Sequence, residues 1–278
     1  TQNDEPDDQS VDGESSTSLV SENRYAYEYM MNNPRYSKTI IPPIIPDEEI
    51  PQEKVEYILN KEYITPLSIS ELIEDFRILS YHARPNRTVF TERHTKLLSA
   101  LKDSVKNMVD DQIFLLLRYI EMWYPILRKG KQEALKKLED ELDHECWKRA
   151  LDWDAEDLLR ASDLFYHLRR SRESKLILYV TKKLGLKPQK MSAENYIQYM
   201  FMLNTCRKPS INMYELEYRL ENLLETYTAE ELSIIAMGFF KTQTPIRNPV
   251  LVKHIIQKCG ENIMNLGNIF LCAAFKMA

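Results

Sequence analysis

The chain has 278 residues, a formal net charge of −5, four cysteines and only six glycines. So few glycines argue against an all-β fold with many tight turns. No C-x-x-C pair occurs, which argues against a disulfide framework or a zinc module and favours buried, reduced thiols at Cys146, Cys206, Cys259 and Cys272. No apolar run approaches the roughly 20 residues of a membrane span.

The charge is distributed unevenly along the chain. Residues 1–22 carry seven acids and no base, whereas residues 168–278 carry 16 bases and nine acids, a net charge of +7. This asymmetry favours an anionic partner for the C-terminal part. The chain begins with Thr1 and ends at Ala278 within an apolar helical pattern, so we expect both ends to be cut.

The N-terminal 66 residues lack the periodicity of a folded domain. Residues 1–23 are acidic and Ser-rich, and we expect a disordered tail. Residues 24–66 hold many prolines, which remove amide donors and fix φ, so they predict a Pro-rich extended linker or strap with one short helix near Glu53–Leu59.

Helical signals begin at Ser68, where Ser68 and Glu71 form a capping-box pattern ahead of an apolar face. Further helices are predicted over about 91–108, from Asp110, and from Lys131 to about Leu151. The helix that starts at Asp110 carries apolar residues towards Trp123.

Three helix starts then recur at nearly constant spacing. Asp154, Ser192 and Thr228 each precede a Glu in the first turn, and they are 38 and 36 residues apart. Second helices are predicted near Ser171, Ile211 and Pro249. With further starts at 110 and 266, the repeat is about 36–44 residues long, which predicts an all-α fold: a right-handed α-solenoid of stacked helical hairpins.

A cation cluster recurs where the first helix of each hairpin is predicted to end. Arg169/Arg170 and Arg207/Lys208 share offsets of 15 and 16 residues from the cap. Such a basic ladder could follow a phosphate backbone, or its cations could simply complement helix dipoles. The candidate RNA-binding residues of this basic ladder are Arg128, Lys129, Arg169, Arg170, Arg172, Lys175, Arg207, Lys208, Lys241 and Arg247.

Other candidate sites have plainer interpretations. The interleaved aromatics could stack on bases but are more typical of a core; they are Phe165, Tyr166, Tyr179, Tyr196, Tyr199, Phe239 and Phe240. The acidic run 139–143 is predicted to be a solvated helix face, and no metal or cofactor site is expected at His144. We expect no enzyme activity in this chain, since neither a phosphate-binding loop nor a kinase motif occurs.

Residues 231–242, ELSIIAMGFFKT, carry a family resemblance together with residues 246–258. This segment resembles the start of the FAST-type helical region of the FAST kinase domain-containing (FASTK) family, and its Gly-Phe-Phe-Lys core resembles the fifth member type. The resemblance extends over about residues 110–278. It divides the chain into hairpin repeats at 67–227 and a truncated FAST-type region at 228–278, without the C-terminal RAP domain.

The resemblance implies a mitochondrial matrix protein that binds single-stranded mitochondrial RNA in processing, maturation or stability of messenger RNAs. It also implies protein partners in RNA granules, and neither a membrane span nor a small-molecule substrate. Despite its name, the family is not expected to be a kinase. The alternative function is a protein-binding α-solenoid scaffold that makes no direct RNA contact.

Overall fold

A computed structural model describes residues 22–63, 68–86, 91–125 and 133–261. Within these ranges the chain forms twelve α-helices and no strand. The helices are α1 (Glu22–Met31), α2 (Gln52–Asn60), α3 (Ile69–Asn86), α4 (Thr95–Ser104), α5 (Asp110–Glu121), α6 (Glu133–Arg149), α7 (Ala155–His167), α8 (Lys175–Gly185), α9 (Ala193–Cys206), α10 (Met213–Leu223), α11 (Ala229–Lys241) and α12 (Pro249–Glu261).

The helices pack in sequential pairs, and equivalent helices contact one another. The first helices of the pairs, α3, α5, α7, α9 and α11, contact each other in chain order. Among the second helices, α4 packs on α6 and α6 packs on α8. The prediction of an all-α fold built from helix pairs is therefore confirmed.

The three recurrent helix starts are N-caps, as predicted. The side chains of Asp154, Ser192 and Thr228 accept hydrogen bonds from the backbone N–H three residues later, at 2.9, 3.1 and 3.2 Å. Each bond satisfies an N–H that has no partner inside its helix. Ser68 and Glu71 also form the predicted capping box, with Ser68 N donating to Glu71 Oε2 at 2.8 Å.

Two of the second helices begin later than predicted. Helix α8 starts at Lys175 with Ser174 as its cap, and α10 starts at Met213 with Asn212 as its cap. The α8 start is decided by α6, because Asp143 accepts hydrogen bonds from the backbone N–H groups of Lys175 and Leu176 at 2.9 and 3.1 Å.

The core lies between the helices of adjacent pairs. Most of the interleaved aromatics belong to it: Phe165, Tyr196, Tyr199 and Phe239 are buried, Tyr166 and Tyr179 are half-buried, and Phe240 is exposed. Gly238 lets α11 approach α9 closely, because a Cβ there would lie 2.8 Å from the backbone oxygen of Met200. The core interpretation of these aromatics is confirmed for all but Phe240.

The N-terminal segment differs from the predicted extended strap. Residues 22–31 form a regular helix, α1, whose Ala26, Tyr27 and Met30 are buried. Packing against α7 and α9 stabilises this helix, which the chain pattern alone does not indicate. Residues 37–51 have no helix or strand, in agreement with the predicted strap, and α2 occupies the predicted short helix.

Several predictions lie outside the described residues. These are the acidic tail as far as residue 21, the cations Arg128 and Lys129, the thiol of Cys272 and the hairpin from residue 266. The thiols of Cys146, Cys206 and Cys259 are free and buried, as predicted.

Candidate nucleic-acid interface

The C-terminal ends of α7, α9 and α11 share one backbone geometry. Arg169, Arg207 and Gln243 have φ values of 54°, 54° and 57°, and each lies 15 residues after its N-cap. They are the described non-glycine residues with positive φ. The repeat predicted from the helix starts is therefore also present at the helix ends.

Backbone hydrogen bonds define these helix ends as left-handed caps. Arg170 N donates to Phe165 O at 3.0 Å and Thr244 N donates to Phe239 O at 3.1 Å, which is the Schellman pattern. Arg207 N donates to Leu203 O at 2.9 Å, the simpler left-handed cap. The residue of the third repeat that is equivalent to Arg169 and Arg207 is thus Gln243, whereas the predicted ladder residue Lys241 lies two positions earlier.

Arg170 belongs to the interior and not to a surface ladder. It is 6% exposed, and its guanidinium pairs with Glu139 Oε2 at 3.3 Å and with Asp140. Glu139 is fully buried and also accepts a hydrogen bond from Tyr124 Oη at 2.7 Å. Burial, with Glu139 alongside, raises the pKa of Tyr124. The equal offsets in sequence therefore conceal two different environments.

The acidic run of α6 explains this burial and corrects a second prediction. Glu139 and Asp143 are buried, so the run is not a solvated helix face. Glu139 neutralises Arg170, and Asp143 accepts hydrogen bonds at the N-terminus of α8, where backbone N–H groups favour an anion. These acids fix the connection between α7 and α8 and present its remaining cations outward.

The remaining cations form an exposed set, which we call the basic edge. It consists of Arg169, Arg172, Lys175, Arg207 and Lys208, all at the connections that follow α7 and α9. Lys208 is half-buried and the other four are exposed. Among the described residues, no acid forms an ion pair with Arg169, Arg172, Lys175 or Lys208. The basic edge is therefore a surface of uncompensated positive charge.

The last two ladder residues lie at the third connection. Lys241 Nζ is 3.9 Å from Glu22 Oε2, so the start of α1 partly compensates it. The guanidinium of Arg247 stacks on the ring of Tyr214, 4.4 Å from its centroid. Neither residue occupies the position equivalent to Arg169, and the regular part of the ladder comprises two repeats.

Two exposed aromatics of α10 were missed by the sequence analysis. Tyr214 and Tyr218 are 58% and 57% exposed, on the face opposite the buried Leu216 and Leu220. Their four-residue spacing, out of phase with the leucines, was the available signal. They share this face with the exposed acids Glu215 and Glu221, so they do not extend the basic edge.

The opposite ends of the same first helices are acidic and covered. Arg35 pairs with Glu194 at 2.8 Å and with the fully buried Glu231 at 3.0 Å, and Tyr36 donates to Glu231. Lys38 pairs with Glu156 at 3.2 Å. Burial opposes ionisation of Glu194, but its hydrogen bond from Arg35 leaves the pKa of this carboxyl below its usual range. The N-terminal segment thus supplies the cations for this end.

A buried polar cluster holds α1 against α7. The Tyr27 hydroxyl lies 2.7 Å from His167 Nε2 and 3.3 Å from Asp163 Oδ2, and Glu121 Oε1 lies 3.2 Å from His167 Nδ1. Burial raises the pKa of Asp163, with the nearby Glu121 adding to the effect. The cluster joins three helices in the interior, which is a structural role for His167.

Metal and membrane sites were also sought in the described residues. No group of three or more His, Cys, Asp or Glu side chains there is placed to hold a metal ion. Across the described helices, none combines the length and the apolar character that a membrane crossing requires.

These observations define an all-helical protein of repeated helix pairs with a basic edge at one end of its first helices. The chain is similar to the mouse protein named FAST kinase domain-containing protein 5, mitochondrial, with 25% identity over 255 residues. The match covers 90% of this chain and 31% of the relative, so the chain spans about a third of that relative's length.

The predicted resemblance is confirmed as a distant relationship. It extends further towards the N-terminus than residues 110–278, because 90% of the chain is aligned. No family model matches the chain. No solved structure matches it either.

Proposed function

We propose that this chain is the RNA-binding helical-repeat part of a mitochondrial RNA-processing protein. In this proposal the helix pairs form an α-solenoid, and the basic edge binds single-stranded messenger RNA in the mitochondrial matrix. The observation that supports it is the recurrence of exposed, unpaired cations at equivalent ends of α7 and α9. The similarity to a FAST kinase domain-containing protein supports the choice of RNA as the anion.

Electrostatics favours a polyanion at this edge. Each phosphate that a Lys or Arg neutralises releases bound counterions, so the affinity depends steeply on salt. Unpaired segments are the expected target, because the A-form major groove is too narrow for side chains to read. Neighbouring packed helices lie about 8–10 Å apart, which places Arg169 and Arg207 within reach of one RNA strand.

We further propose that these residues bind RNA and do not cleave it. The basic edge consists of guanidinium and ammonium groups, which can hold phosphates but do not act as nucleophiles or general bases at neutral pH. Such groups would present the strand to other components of the processing machinery. The competing proposal is a protein scaffold in which the same cations only complement helix ends.

Fluorescence anisotropy of a mixed-sequence single-stranded RNA tests the proposal, at about 50 and 200 mM salt. The variant R169Q/R172Q/R207Q/K208Q removes four charges of the basic edge. Glutamine suits the two left-handed positions, because Gln243 already occupies the equivalent one. Arg170 stays unchanged, since its loss would leave Glu139 buried without its cation. The matched control is K54Q/K96Q/K106Q/K137Q, four exposed lysines outside the repeat-rich end.

We expect the wild-type affinity to fall steeply with salt, and the basic-edge variant to bind at least about tenfold more weakly at low salt. The slope of log affinity against log salt should become shallower by about 0.7 for each phosphate that the variant no longer neutralises. The control should retain the wild-type affinity. Equal weakening in both variants, or no binding by the wild type at low salt, would favour the scaffold.

A further inference from the structure

The start of α1 lies at the same end of the first helices as the basic edge. Glu22 pairs with Lys241 in the last turn of α11, and Asn23 Oδ1 accepts a hydrogen bond from Asn204 Nδ2 at 2.7 Å, near the end of α9. Further along, Tyr29 contacts Thr228 and Arg35 contacts Glu194, both at helix starts. The N-terminal segment therefore runs from the basic ends of the first helices to their acidic ends.

This path fixes where the preceding residues enter. Arg207 follows Asn204 by three positions, so residue 21 is joined to the structure beside the basic edge. Residues 1–21 contain six acids and no Lys or Arg: Asp4, Glu5, Asp7, Asp8, Asp12 and Glu14. An extended segment of this length could span up to about 70 Å, which is more than enough to reach the connections after α7 and α9.

We propose that residues 1–21 bind the basic edge and compete there with RNA. This inference rests on the proposed function, since it assigns a regulator to the same surface. The charges are complementary, because the basic edge has cations without described ion-pair partners and the tail has acids without a base. The Glu22–Lys241 pair is the first contact of this kind and is present in the described structure.

Tethering makes weak contacts sufficient for this competition. A segment linked directly to its binding surface has an effective concentration in the millimolar range. A tail that binds with a dissociation constant of about 0.1 mM would therefore keep the surface mostly occupied. RNA would displace the tail by supplying more anionic groups along the same edge, and salt would weaken both interactions.

The first test needs no RNA. In the full chain, carbodiimide joins carboxylates to nearby lysines without a spacer, and mass spectrometry locates the products. We expect the tail acids to couple to Lys175, Lys208 and Lys241, and not to the equally reactive control lysines Lys54, Lys96 and Lys137. Coupling spread evenly over both sets, or no coupling to the first set, would overturn the proposal.

The second test measures RNA affinity in the variant D7N/D8N/D12N/E14Q. The matched control is D47N/E49Q/E53Q/D103N, which removes four exposed acids elsewhere. We expect the tail variant to bind single-stranded RNA about tenfold more tightly than the wild type at 50 mM salt. The control should gain far less, and the advantage should shrink at higher salt.

The combined outcomes separate the two proposals. RNA binding that is equal in the wild type and the tail variant would overturn the competition while leaving the RNA-binding function intact. An absence of RNA binding in every variant would overturn the proposed function and, with it, competition for RNA; the cross-links would then report on the tail contact alone.

Discussion

The two ends of α7, α9 and α11 are treated differently by the same chain. At the N-terminal ends, Glu156, Glu194 and Glu231 are paired with Lys38 and Arg35 of the N-terminal segment. At the C-terminal ends, Arg169 and its neighbours on the basic edge have no such described counterpart, apart from the Glu22–Lys241 contact one repeat further on.

Both ends carry charges that suit the helix dipole, acids at the start and bases at the end. The difference lies in compensation. An acidic end that the chain neutralises itself needs no external ligand, whereas an uncompensated basic end can bind an anion at little desolvation cost. The comparison teaches that charge at a helix end identifies a binding surface only after the internal ion pairs have been taken into account.

The largest expected effect distinguishes two neighbouring arginines at the basic end. Arg170→Gln should lower the free energy of unfolding by about 3–5 kcal/mol, because it leaves the buried Glu139 carboxylate unpaired. Arg169→Gln should change it by less than about 0.5 kcal/mol, since this side chain is exposed. Urea denaturation followed by circular dichroism measures both. Similar destabilisation by the two variants would mean that Arg170 does not act as an interior residue.

At the acidic end, Arg35→Ala should destabilise the fold by about 2–3 kcal/mol. It removes the guanidinium that contacts the fully buried Glu231, although Arg35 itself is a quarter exposed. Lys38→Ala breaks a pair whose members are 74% and 41% exposed, and should cost less than about 1 kcal/mol. Thermal unfolding in the same buffer compares them. If Lys38→Ala cost as much as Arg35→Ala, the covering of this end would depend on surface pairing.

A smaller effect defines the pH range in which the two ends can be compared. Burial lowers the pKa of His94 to about 4; its ring packs edge-on against Trp123, and its Nδ1 accepts a hydrogen bond from Thr91 N. The unfolded chain takes up this proton near pH 6.5, so the stability that neutral His94 provides is lost as the pH falls from about 6.5 towards 4.

Between pH 7 and pH 5 this decrease in stability should amount to about 2 kcal/mol. His94→Gln keeps an acceptor for Thr91 and lacks the titration, so its stability should depend less on pH over this interval. Denaturant titrations at both pH values provide the measurement. Parallel pH profiles for the variant and the wild type would contradict the assignment, and RNA binding is best measured at pH 7 or above.

The sequence predicted those features that are determined within a few residues. The caps at Asp154, Ser192 and Thr228 were found because a side-chain oxygen and the N–H that it accepts from lie three positions apart. The core aromatics followed from helical spacing. The α8 start was misplaced because Asp143, about 30 residues earlier, stabilises it.

The candidate site was predicted less completely, for the same reason. Arg169 and Arg170 are adjacent in sequence, and only the position of α6 decides that Arg170 is buried against Glu139. Helix α1 was missed because its stability depends on Tyr27 reaching Asp163, at a separation of 136 residues. Local patterns located the helix ends, but tertiary contacts decided which of their cations are exposed.

The left-handed conformation of Arg169 and Arg207 has a practical consequence. An L-residue with a side chain is held there at a cost of about 1 kcal/mol relative to glycine. A screen for heat-resistant variants would therefore favour glycine at both positions, and each such replacement would discard a cation of the basic edge. At these two positions, thermal robustness and affinity for anions are opposed, so an engineered, more durable form should be selected for ligand binding as well as for survival on heating.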